Sequence, residues 1–237
     1  MEVANAPHFK FSGFANPDEP RHALRTTPGG STAPIQVEIP GGHYVNQYAP
    51  TVVDTRDVYD PAADCDGNFM SYKFQPHNNC YAYGCGIASN SFPQPGRIHG
   101  ILLHAGFTGD TVSAGAEKDG LISVSKEALS NEELAEKKKS LPPGHFVALL
   151  YSAADEKVGW PGDYHWVRQD RDGTWSQKDG GDQVTNFDFA GNKITNPAKA
   201  NWTVNEGPIS NDNPADLIVK YDFHSMMYVP DGKVDII

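Results

Sequence analysis

One segment of the chain carries the ingredients of thiol chemistry: His77-Asn78-Asn79-Cys80-Tyr81-Ala82-Tyr83-Gly84. Asn79 or Asn78 can cap a helix that starts at Cys80 and runs towards Ser89. A cysteine in that first turn faces unpaired backbone N–H groups and the positive end of the helix dipole. Such a position lowers a thiol pKa from about 8.5 and enriches the attacking thiolate. The same N–H groups can hold the oxyanion that forms on an attacked carbonyl. Gln75, five residues upstream, and Asn79 are the candidate side-chain donors for it.

A thiolate needs a partner that takes up and returns its proton, and histidine suits this near neutral pH. Of nine histidines, His165 has the best context. It lies in Gly162-Asp163-Tyr164-His165-Trp166, at the start of an expected strand. Tyr81, Trp160 and Trp166 are candidate walls of a cleft beside it. A third polar residue would orient the imidazole, and Lys178 cannot accept that proton. Gln177, Asp182, Asn186 and Asp188 remain, with Asn186 and Asp182 preferred.

Cys80 on a helix followed by His165 on a strand resembles the papain-like thiol hydrolases. The compact order, helix first and antiparallel strands after, is similar to the NlpC/P60 and CHAP amidases. The resemblance covers roughly residues 75–190. Asp163 to Lys178 also looks like a segment of uncharacterised bacterial proteins that carry an Asn-Cys-Tyr motif. The resemblance implies a cysteine-dependent hydrolase or acyltransferase, of the peptidase or amidase kind, that acts on an amide (peptide, cell-wall peptide or isopeptide) or ester bond through a thioester on Cys80. Its substrate would be peptide-like or a small amide, and it would need no cofactor. A non-catalytic, β-rich binding or structural module, with Cys80 in its core, is the competing expectation.

The elements that must position these residues are legible in part. Residues 1–60 read as a Pro/Gly-rich arm, with extended runs at Ile35 to Ile39 and Thr51 to Asp54. Its aromatics, among them Phe9, Phe11 and Tyr44, argue for packing on the body. The body, residues 61–237, should be α+β, since helices precede a series of antiparallel strands. Ser130 and Glu133 form a capping box for a helix over 131–139. Strands are expected at His145 to Ser152, Tyr164 to Gln169, Thr174 to Lys178, Leu217 to Phe223 and Ser225 to Val229. Asp170-Arg171-Asp172-Gly173 is a strong hairpin signal. Gly84 and Gly86 weaken the Cys80 helix and make sense only if a strand packs closely on it.

Composition narrows the classes. An 11% aromatic content in 237 residues supports one sizeable core. A net charge of −11 repels phosphate backbones and argues against nucleic acid. No apolar run approaches the roughly 20 residues of a membrane span. His99, His104 and Asp110 lack metal-ligand spacing, so no metal is expected. The three cysteines leave two cases open. In an exported protein, Cys65 and Cys85 would pair and leave Cys80 free. In a cytoplasmic protein all three would stay reduced.

Overall fold

The computed structural model describes residues 77–181 and 184–237, Phe69, and four short strands between residues 35 and 57. Those strands form two antiparallel hairpins, β1 (Ile35–Ile39) with β2 (His43–Gln47) and β3 (Val52–Val53) with β4 (Arg56–Asp57). The arm's side chains, and so its expected packing on the body, lie outside the described residues.

The body is α+β. Its centre is a six-stranded antiparallel sheet in the order β5-β12-β6-β7-β8-β9. The strands are β5 (Ile122–Ser125), β6 (Gly144–Ser152), β7 (Asp163–Gln169), β8 (Trp175–Lys178), β9 (Val184–Thr185) and β12 (Asp222–Pro230). A separate hairpin joins β10 (Thr203–Ser210) to β11 (Asn213–Lys220). Among the described residues, three α-helices pack with these strands: α1 (Cys80–Cys85), α2 (Gly109–Lys118) and α3 (Asn131–Lys138).

Both faces of the sheet are buried. That is why its strands read as near-continuous apolar runs rather than as alternation. The pleat sends alternate residues to opposite sides. Val147, Leu149, Trp166, Met227 and Val229 pack under α1 and α2, with Cys80, Tyr81, Val112 and Ala116. Phe146, Ala148, Leu150, Val167, Met226 and Tyr228 face the other way. There they meet Leu134 of α3, Phe189, Trp202, and Val204 and Val219 of the outer hairpin.

Local chemistry explains the joints. The β7–β8 hairpin forms at the expected turn, where Asp170 N–H donates to Thr174 O and Gly173 takes a φ of 86°. That φ strains any residue with a Cβ. The Ser130 capping box is complete, each partner reaching the other's backbone N–H. Ser130→Ala should therefore cost about 1 kcal/mol of stability, read as a lower denaturation midpoint in urea. An unchanged midpoint would show that α3 is held by Leu134 alone.

Helix α1 is shorter than the sequence suggests. Gly86 adopts a left-handed φ of 69°, and its N–H closes on the carbonyls of Ala82 and Tyr83. The helix ends there rather than continuing towards Ser89. Gly84 has the packing role expected of it: a Cβ there would lie 3.3 Å from the Cβ of Trp166 on β7.

Candidate functional site

Asn79 caps α1 as its type predicts, its side-chain oxygen accepting from Ala82 N–H at 3.0 Å. The other end of the amide donates to Pro93 O at 2.8 Å. Both ends of the Asn79 amide are thus engaged in architecture. Gln75, the second candidate donor, lies outside the described residues.

Cys80 sits at the start of α1 but is only 7% exposed, which corrects the expectation of an open thiol. Its Sγ lies 4.0 Å from the Tyr164 carbonyl, the geometry of a protonated thiol donating weakly to an acceptor. Burial is the largest influence on it, followed by the nearby Asp163 charge. Both push the thiol far above its ordinary pKa. The helix start that could have favoured a thiolate is overridden, because taking a charge out of water costs more than the dipole of a six-residue helix returns.

His165 leaves β7 by the face opposite to Cys80. The thiol packs with Tyr81 and Trp166 on the α1 side. The imidazole lies among Phe189, Trp202 and Tyr221, at ring-centroid distances of 5.6, 5.8 and 6.3 Å. Successive strand residues point to opposite faces, so the contact of Trp166 with α1 commits His165 to the other side. The expected thiol–imidazole pair is therefore not assembled.

Gln177, one of the four candidates for the orienting role, meets the ring: its Oε1 is 2.9 Å from Nε2 of His165. The register Val167↔Gln177 brings them together across neighbouring strands. Nε2 of Gln177 in turn donates to Phe187 O at 3.0 Å. Nδ1 of His165 lies 4.0 Å from an Asp179 oxygen. Asn186 is buried, and its carbonyl accepts from Ile194 N–H. Asp188 organises its own loop, accepting from the N–H groups of Ala190, Asn192 and Asn201. Asp182 lies outside the described residues.

The three aromatic candidates do not line a common cleft. Tyr81 and Trp166 are fully buried together, their rings 5.2 Å apart. Trp160 is buried on the opposite face and donates its indole N–H to Ser152 at 3.1 Å. Tyr81 is fixed by Asp119, whose carboxylate accepts from its hydroxyl and from Gly96 N–H, both at 2.7 Å. Burial nevertheless holds that carboxyl above its usual pKa. Cys85 is a free, buried thiol, and its expected partner Cys65 lies outside the described residues.

Sequence reasoning gave Lys178 no role beyond excluding it as an acceptor. The structure buries it fully, with Nζ donating to the carbonyls of Asn78 and Gly180. It ties the segment before α1 to the end of β8. Among the described residues, no group of three or more His, Cys, Asp or Glu could hold a metal ion. Nor is any described helix long and apolar enough to cross a membrane.

No protein-family model and no solved structure matches the chain. A curated relative does: insoluble matrix shell protein 1 of Ruditapes philippinarum is 34% identical over 137 residues. The match covers 57% of this chain and 76% of that protein. The chain belongs to the same family as insoluble matrix shell protein 1.

Proposed function

We propose that this chain is a non-catalytic structural module, a component of an insoluble matrix like the one its relative is named for. The observation that carries the reading is the separation of Cys80 and His165 onto opposite faces of one strand. Among the described residues, Cys80 packs in the core, Asn79 caps α1, and His165 meets Gln177 across two strands. The kinship with a shell matrix protein supports the same conclusion.

Thiol reactivity tests the non-catalytic part. In the native protein at neutral pH, Cys80 and Cys85 should react with iodoacetamide at least about a hundredfold more slowly than in the urea-unfolded chain. Burial both hides the sulfur and suppresses the thiolate. Fast, selective labelling of Cys80 in the native state would revive the thiol-hydrolase reading. Fractionation tests the matrix part: the protein should stay in the tissue residue that resists salt and detergent. Full recovery in the soluble fraction would overturn it.

A further inference from the structure

Asn201-Trp202-Thr203 is the only Asn-x-Ser/Thr triplet in the chain in which x is not proline. That triplet is the acceptor pattern for an N-linked oligosaccharide, and a bulky, solvated glycan requires a surface position. The loop before β10 supplies one.

The backbone of Asn201 is held firmly. Its N–H donates to Asp188 Oδ2 at 2.9 Å, and its carbonyl accepts from Phe189 N–H at 3.0 Å. Trp202 is 4% exposed and packs in the core with Phe189. Its indole N–H donates to Pro197 O at 2.7 Å. The buried indole anchors the middle of the triplet, while Asn201 stands exposed and Thr203 half-buried. Asn192, held by the same Asp188 carboxylate, is exposed too. A sugar leaving Asn201 would therefore meet a hydrated surface rather than a core face.

The side chain is oriented as well. Oδ1 of Asn201 accepts from Thr203 N–H at 3.0 Å, an Asx turn that brings the first and third residues of the triplet together. This bond occupies the amide oxygen and polarises the amide. Nδ2 makes no hydrogen bond among the described residues, so attaching a group to it breaks none of them.

We propose that Asn201 carries an N-linked oligosaccharide, transferred from a lipid-pyrophosphate-linked donor. Nδ2 forms a bond to C1 of the first sugar. The bond from C1 to the pyrophosphate oxygen breaks, and the pyrophosphate leaves with its electron pair. One Nδ2 proton passes to a base of the transferase, and nothing is oxidised or reduced. The inference rests on the matrix reading in one respect: the transfer takes place on the secretory route, which a component laid down outside the cell would travel.

Peptide mapping of the protein purified from its native source tests this, before and after glycan removal by an amidase in heavy-oxygen water. The peptide that holds Asn201 should be missing at its unmodified mass. After the amidase it should appear with Asn201 converted to labelled aspartate. An Asn201 peptide found only in its unmodified form overturns the proposal. Secretion from a eukaryotic host checks the assignment by intact mass. Asn201→Gln and Thr203→Ala should each lose the glycan, whereas Thr203→Ser should keep it. Asn201→Gln replaces an exposed side chain, so the test stands even if a change at Thr203 disturbs β10. A glycan that persists in Asn201→Gln lies elsewhere and overturns the assignment. The two readings fail separately. An insoluble protein with unmodified Asn201 rejects the glycan alone, and a glycosylated but freely soluble one rejects the matrix role alone.

Discussion

Replacing His165 with alanine should destabilise the fold by about 3–5 kcal/mol, the range for losing a large buried ring. The imidazole fills the space between Phe189, Trp202 and Tyr221, and its removal leaves a cavity lined by rings. It also takes away a partner of the Gln177 oxygen, and an orphaned buried acceptor costs about 1–3 kcal/mol by itself. His165→Phe separates the two effects. It keeps the stacking and loses only the polar contact, so its loss should fall nearer 1–3 kcal/mol. Urea denaturation followed by tryptophan fluorescence reads both. A catalytic imidazole at an open cleft would behave differently, and unchanged midpoints for His165→Ala would reject the structural role.

Trp166→Ala should be comparably severe, again about 3–5 kcal/mol. The indole is fully buried beneath α1, against the Tyr81 ring and beside Gly84. Gly84, which faces the tryptophan, has no side chain with which to fill the gap. Trp166→Phe should cost far less, within about 1.5 kcal/mol. The Trp166 indole N–H is buried without a hydrogen-bond partner, so phenylalanine relieves that penalty while giving up some ring area. A phenylalanine variant as unstable as the alanine variant would show that the N–H is satisfied in solution.

The sequence carried the local features well and the facial ones poorly. The Asp170–Gly173 hairpin and the Ser130 capping box were legible because their chemistry lies within four residues. The orientation of His165 was not. Strand β7 reads Asp-Tyr-His-Trp-Val-Arg-Gln and is buried on both faces over much of its length, so no polar–apolar alternation marks which side looks out. The contact of Gln177 with His165 required the register of β7 on β8, a non-local quantity. Helix α2 escaped notice although Thr108 and Thr111 cap it reciprocally. With two glycines and only Val112 and Ala116 buried as apolar anchors, its periodicity is thin. Strand β10 was hidden by Asn205, Glu206, Gly207 and Pro208, which read as a turn and coincide with a break in the ladder. Burial decided the candidate site itself. A cysteine at a helix start is reactive only if the helix start is wet, and α1 is sealed against the sheet.

The position of β12 governs how the chain can be made. This last strand does not join an edge. It lies between β5 and β6, pairing with both, although β7 to β11 separate it from them in sequence. While the polypeptide is being synthesised, β5 and β6 emerge before β12 and must wait with a vacant slot between them. Met226, Met227 and Tyr228, which fill both sides of that slot, leave the ribosome only after the intervening strands. Contacts this distant make closure slow and leave unpaired strand edges open to neighbouring chains in the meantime. The chain is thus most prone to stick to its neighbours in the interval before β12 is made.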